Sequence, residues 1–281
     1  MALTDDERSI ETIAMFWAHY DDDLVFANPT LLRALAEGHR AHTFFFTGSD
    51  AGKGVSEYAE GRERGIRAAY DTMRGAAGPW SDETLVLANG LFLTVTRPDG
   101  DDRISLSFLR LPDGGLRGGG YAATGWHSLP KVLNGELSEI RTIDDRQSVT
   151  LDQLHSTVAE LVALHKPTIV ITNYPGFEDP DGDDHPDHQT VGRVVSAVVE
   201  TGIIPADMVR YAIGYPSARR PANIDPELLD RKLTVFAAYG ANDPVVTRPE
   251  ARDYLGVRGF GEWLQREYLV PHSEIGARAE G

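Results

Sequence analysis

The stretch Ile13-Ala-Met-Phe-Trp-Ala18, followed at once by His19-Tyr-Asp-Asp-Asp23, decides how the rest of the chain is read. An unbroken apolar run of this length suits a strand buried on both faces of a parallel sheet. Its abrupt end in an imidazole and three carboxylates marks the carboxyl edge of that sheet. Pro29–Glu37 then reads as a helix, with Pro29 at its start and Gly38 just past its end. Ala41-His-Thr-Phe-Phe-Phe-Thr47 is a second strand, and strand–helix–strand within this span is a right-handed βαβ unit.

Outward from this unit the elements alternate. Ser56–Arg74 reads as a helix with an apolar side of Tyr58, Ile66, Ala69, Tyr70 and Met73. Leu85–Val95 and Ile104–Leu111 read as strands linked through Pro98-Asp-Gly100. Residues 110–121 form a Gly-rich loop. A helix over Thr150–His165 leads into the strand Thr168–Thr172, the acidic loop Glu178–Asp187 and a helix from His188 to Glu200. Met208–Gly214 suits a strand. Asp225-Pro226 opens a helix that runs to Gly240, and Phe260–Leu269 reads as the last helix. The expected fold is a three-layer α/β/α arrangement on a mostly parallel, Rossmann-like sheet, with residues 1–281 as one domain.

Composition narrows the chemistry. With 43 acidic against 27 basic residues the formal net charge is −16. That charge repels nucleic-acid backbones and anionic lipid, so no nucleic-acid partner and no stable membrane insertion are expected. The acidic N-terminal residues lack a cationic and apolar leader, and the apolar run at 13–17 is too short to span a bilayer, so a cytoplasmic protein is expected. There is no cysteine. Any metal must therefore sit on His, Asp or Glu.

Two clusters offer such ligands: His19-Tyr-Asp-Asp-Asp23 and Asp183-Asp-His-Pro-Asp-His188. Each lies past the carboxyl end of an expected strand and before a helix, where α/β proteins place their sites. Three adjacent carboxylates repel one another unless a cation offsets them. His19 and Asp22 can turn toward one ion, and His188 is the natural third ligand. Two imidazoles and a carboxylate with one open position make a catalytic zinc set, so one Zn2+ per chain is expected. Asp21 is placed to take a proton from water as general base, and His185 to face the leaving group or an oxyanion. Asp187 is read as holding a ring nitrogen of His185 and keeping that ring cationic. An acidic calcium-binding loop is the more distant alternative; the Glu an EF-hand needs at its twelfth position is missing.

The first cluster resembles the HPDDE motif of the PIG-L/LmbE-like N-acetylglucosaminyl deacetylases, and His185-Pro-Asp-His188 resembles their second metal motif. Gly48-Ser-Asp-Ala-Gly52 and Arg62-Glu63 are similar to the family's following loop and helix, so the likeness spans roughly residues 10–240. It implies zinc on His19, Asp22 and His188, Asp21 as general base, and His185, oriented by Asp187, at the tetrahedral intermediate or the amine. Two residues depart from the motif: Tyr20 stands for Pro, and Asp23 for Glu. The implied activity is hydrolysis of an N-acyl, most simply N-acetyl, group on an amino-sugar conjugate such as an N-acetylglucosaminyl compound. Alternatives are a metal-dependent amidase on a non-sugar or thiol conjugate and a non-catalytic carbohydrate-binding protein. Asp50, Arg62 and Trp126 are the candidate substrate contacts, Trp126 with Tyr121 and His127 as a stacking wall beside the Gly-rich loop.

Overall fold

A computed structural model describes residues 10–176 and 184–275. The eight N-terminal residues read for targeting lie outside them, as do residues 178–183 of the acidic loop, Asp183 among these. The strands are β1 (Thr12–Trp17), β2 (Arg40–Thr47), β3 (Trp80–Val86), β4 (Phe92–Pro98), β5 (Ile104–Leu111), β6 (Ile140–Arg141), β7 (Ser148–Val149), β8 (Ile169–Asn173), β9 (Val209–Ala212) and β10 (Leu269–Pro271). The helices are α1 (Asp22–Phe26), α2 (Thr30–Ala36), α3 (Glu57–Arg74), α4 (Leu129–Leu133), α5 (Leu151–His165), α6 (Pro186–Glu200), α7 (Pro226–Gly240), α8 (Phe260–Trp263) and α9 (His272–Ile275).

One sheet has the order β10-β9-β8-β1-β2-β5-β4-β3, and β6 pairs with β7 in a separate hairpin. The five adjacent strands β9, β8, β1, β2 and β5 are parallel, while β10 and the β4–β3 hairpin run antiparallel at the two edges. The α/β expectation is borne out. Alternation along β1 sends Ala14 and Phe16 to one face and Ile13, Met15 and Trp17 to the other. The first face is covered by α5 and α6 through Leu154, Val158, Val191 and Val195. The second is covered by α3 and α7 through Ile66, Tyr70, Leu233 and Phe236. Both faces of β1 are thus buried, which is why its sequence is continuously apolar.

Chain direction sets the site. From β1 the chain steps to β2 on one side, and β8 later fills the other side. The crevice at the carboxyl ends of β1 and β8 is therefore the switch point where such sheets bind ligands.

Two elements differ from the sequence reading. Leu85–Val95 is not one strand: β3 ends at Val86, β4 starts at Phe92, and the Leu87 N–H bonds to the Leu91 carbonyl across the turn. Asn89-Gly90, with Gly90 at φ 86°, supplies the left-handed residue this turn requires. Phe260–Leu269 is not one helix either. α8 stops at Trp263, and Leu269 pairs antiparallel with Ala212 in β10. An apolar period of one turn does not distinguish helix from edge strand.

Candidate metal centre

β1 delivers His19 and Asp22 to the crevice, and the start of α6 delivers His185 and His188. All four are buried. His19 Nδ1 lies 3.1 Å from His188 Nε2, His188 Nε2 lies 3.0 Å from Asp22 Oδ1, and His19 Nδ1 lies 3.6 Å from Asp22 Oδ1. Ligands about 2.1 Å from a tetrahedral zinc stand about 3.4 Å apart, so this triangle has the right edge length. The donor set fits a divalent metal.

Each ligand is held from behind. Asp22 Oδ2 accepts the His19 backbone N–H at 2.9 Å and the Asn173 side-chain amide at 3.3 Å, leaving Oδ1 to face the imidazoles. Asn173, the last residue of β8, also accepts the Ala18 N–H, locking the two strand ends together. His188 Nδ1 sits 2.9 Å from Asp184 Oδ1, which fixes the proton on Nδ1 and frees the Nε2 lone pair. A Cβ at Gly214 would collide with the Asp184 carboxylate, so this loop approaches as closely as glycine permits. His19 Nε2, without a hydrogen-bond partner, points at Asp187 Oδ2 (3.4 Å) and Asp113 Oδ2 (3.9 Å). A second grouping, His19 with Asp113, His185 and Asp187, is thus compact as well. Its carboxylates, however, already accept the N–H groups of Gly115 and Gly114. It reads as a polar shell behind His19.

The carboxylates set the imidazole charges. Burial opposes protonation of His188, yet Asp22 and Asp184 outweigh it and raise its pKa to about 10. Burial likewise works against a charged His19, and Asp22 and Asp187 again prevail, upward. Asp22 is held well below the usual carboxylate range because the two imidazoles overcome its burial. Such a concentration of negative charge is what a divalent cation satisfies.

Asp21 points away from this triangle to Arg62, whose guanidinium lies 2.8 Å from Oδ1. Burial raises the Asp21 pKa against the pull of that guanidinium. Arg62 is itself braced by Tyr239, Asp243 and the Ser49 carbonyl. The open space in front, about 220 Å³, is bordered by His19, Asp21, Asp22, Arg62, Asp113 and His185 on its polar side.

The expected pairing of Asp187 with His185 is overturned. The closest approach of Asp187 Oδ2 to His185 Nδ1 is 3.9 Å, and that nitrogen accepts the Asp187 backbone N–H instead. Burial and the neighbouring His19 lower the His185 pKa to about 4, so its ring is neutral with the proton on Nε2. Asp187 faces His19. A Cβ at Gly114 would come within 2.5 Å of its carboxylate.

Two expected substrate contacts are also misplaced. Asp50 is fully buried and accepts the N–H groups of Asp113 and Gly54, so it shapes the loop and does not face the cleft. Trp126 is 58% exposed, at φ 61°, and does not border the cleft. Arg62 and Tyr121 do. The aromatic pair that borders the cleft is Tyr215 on Trp263, with ring centroids 4.2 Å apart and planes 7° from parallel. Neither lies in a recognisable motif. Asp113 sits in a Pro-Asp-Gly turn that gives no sign of a site, and the sequence reading gives Asp184 no role, although its position four residues before His188 is a signal that could have marked it as that ring's partner. Of the motif departures, the Tyr20 ring packs away from the site on Phe45 and Phe108. Asp23 bonds to the Tyr70 hydroxyl and the Leu24 N–H, and burial lifts its pKa to about 8.

Fold and site together define an α/β protein whose buried His/Asp cluster, at a sheet switch point, fits a divalent metal. The family model PIG-L, GlcNAc-PI de-N-acetylase, matches residues 14–199, and the chain belongs to that family. The expectation of a hydrolytic N-deacetylase is borne out at this level. A deacetylase of teicoplanin biosynthesis is 14% identical, with 90% of this chain and 89% of that one covered and a TM-score of 0.51. A conserved protein of Thermus thermophilus is 17% identical over 93% of each chain, TM-score 0.48. The N,N'-diacetylchitobiose deacetylase of Pyrococcus horikoshii is 11% identical over 87% of this chain and 75% of that one, TM-score 0.48. A comparison with curated proteins finds no match. Among the described residues no helix is long and apolar enough to cross a membrane.

Proposed function

We propose that the chain, acting as one catalytic domain, removes the N-acetyl group of an amino-sugar conjugate with zinc held by His19, Asp22 and His188. The observation that carries this reading is the triangle of two imidazole nitrogens and one carboxylate oxygen, 3.0–3.6 Å on a side, facing a cleft that also holds Asp21. When bound, zinc supplies Lewis acidity, polarising the amide carbonyl and acidifying water.

The chain's residues do the rest. Asp21 takes the proton of the attacking water at its carboxylate, and its raised pKa suits it to hand that proton on to the departing nitrogen. Arg62 fixes Asp21 in one orientation. Neutral His185 donates its Nε2–H to the oxygen that gains charge as the C–O bond forms. Asp184 holds His188 in the ligating tautomer, and the Asp187 carboxylate, 3.4 Å from His19 Nε2, favours a proton on that nitrogen. The C–N bond then breaks, giving acetate and a free amine.

The test is amine release by the zinc-loaded protein from N-acetylglucosamine glycosides, run beside acetylated cysteine conjugates. Release from the glycosides is the expected result. Release from the thiol conjugates alone moves the enzyme to the amidase alternative, and sugar binding without release makes it a carbohydrate-binding protein.

A further inference from the structure

Lys232 of α7 is as fully buried as the apolar Leu233 and Phe236 beside it, and it does not border the cleft. Burial lowers its pKa to about 7, opposed by the nearby Glu267 carboxylate. What its ammonium touches is the break between α1 and α2. α1 is a single turn, too short to hold its own shape. Its last helical bond runs from the Ala27 N–H to the Asp23 carbonyl. The Val25 carbonyl would need the N–H of residue 29, which is proline and has none. Lys232 Nζ supplies that donor at 2.6 Å and also bonds the Arg266 carbonyl, beyond α8, at 3.0 Å. On the other side of the break, Pro29 offers α2 no side-chain cap, and Glu267 accepts the Thr30 N–H and hydroxyl, each at 2.9 Å.

The other end of α1 is the metal centre. Asp22 is its first residue, and the Asp21 carbonyl accepts the Val25 N–H at 3.0 Å. Val25 thus bonds Asp21 through its N–H and Lys232 through its carbonyl. Resting on the reading of Asp22 as a zinc ligand and Asp21 as the base, we propose that Lys232 is a positioning residue for both. From the far end of α1 it fixes where their carboxylates stand, by giving the Val25 carbonyl the hydrogen bond that Pro29 cannot. The buried side chains Leu24, Val25 and Phe26 hold α1 in the core, but apolar burial is non-directional. A bond along the helix axis sets its slide and its rotation.

Three measurements on the full chain test this. They are chelator competition for zinc, amide hydrogen exchange over residues 22–27 without metal, and kcat and KM for methyl N-acetylglucosaminide at saturating zinc. Lys232→Met keeps the length of the side chain and loses the donor. Its zinc affinity and kcat are each expected to fall about tenfold, the low end for removing a group that holds a metal ligand. KM stays as it was, because position 232 is away from the cleft, and residues 22–27 exchange faster. Leu161→Ala, in α5 on the other face of the sheet, is the control: it lowers Tm by opening a core cavity and is expected to leave zinc affinity and that exchange unchanged. Should Lys232→Met not fold, Lys232→Gln, whose donor is one bond shorter, takes its place in all three measurements, with a smaller loss expected. Unchanged zinc affinity and exchange in the Lys232 variant overturn the inference. An equal loss in Leu161→Ala overturns it too, by making the effect one of general loosening. Failure of the deacetylase reading shows differently: unsubstituted protein binds no zinc or releases no amine, and exchange over residues 22–27 alone decides whether Lys232 holds α1.

Discussion

Histidines meet at both edges of the central sheet, with opposite results. At the carboxyl edge His19 and His188 stand 3.1 Å apart, nitrogen to nitrogen, among Asp22, Asp184 and Asp187. At the amino edge His42 of β2 and His165 at the end of α5 stack face to face, with centroids 4.0 Å apart and planes 19° from parallel. There burial and His165 lower the His42 pKa to about 3, and burial with Arg97 lowers that of His165 to about 4. The His42 Nδ1 is occupied by the Ser105 hydroxyl at 2.7 Å. The in-plane lone pairs of stacked rings cannot converge on one ion, whereas those of the carboxyl-edge pair do. Ring orientation and the sign of the surrounding charge separate a metal site from packing.

Four experiments press on that contrast. The largest effect belongs to His188→Ala, which is expected to drop bound zinc from about one per chain to a small fraction and to abolish turnover, read by elemental analysis. Full occupancy in that variant would remove His188 from the ligand set. Asp21→Asn is expected to keep its zinc and lose about 10²–10⁴-fold in kcat; a near-normal rate would mean another group takes the proton. Asp184→Asn, which alters the partner of the far nitrogen of His188 while keeping an oxygen for the His185 and Tyr215 N–H groups, should weaken zinc affinity about 10–100-fold in a chelator competition. Unchanged affinity would leave Asp184 as a packing residue.

The smallest effect lies at the other edge. His165 is neutral when folded and titrates near its ordinary value when unfolded, so the unfolded chain takes up its proton first. Stability from this ring is therefore intact above about pH 6.5 and declines as pH falls toward about 4. His165→Gln should make the loss of stability over that window shallower, by at most about one proton, in denaturant melts at several pH values. An identical slope in both proteins would show that the stack does not titrate.

Much of this was legible before any coordinates. The run 13–18 had to be a doubly buried strand, and Asp225-Pro226 had to open α7, whose cap Asp225 accepts the Leu228 N–H. The Thr150 and Ser56 caps likewise set the starts of α5 and α3. These features are local, fixed by periodicity and by hydrogen bonds within a few residues. The candidate ligands were also legible, because a carboxylate run next to a strand end is costly without a cation. The β3–β4 turn was present in Asn89-Gly90, but apolar residues on both sides masked it.

What the tertiary structure alone decided is partnership. Asp187 and His185 are neighbours in sequence, yet the cap geometry at the start of α6 directs the Asp187 carboxylate to His19, some 168 positions earlier. Asp50 reads as a sugar contact and is spent on the backbone of Asp113. Tyr215 and Trp263 belong to no motif and border the cleft because the turn Tyr215–Arg219 packs on α8, with the Trp263 Nε1–H donating to the Tyr215 carbonyl. A sequence fixes which side chains carry charge and which stretches must be buried, since both follow from covalent chemistry and short-range periodicity. Which carboxylate faces which imidazole depends on contacts between distant segments, and those exist only once the sheet has closed.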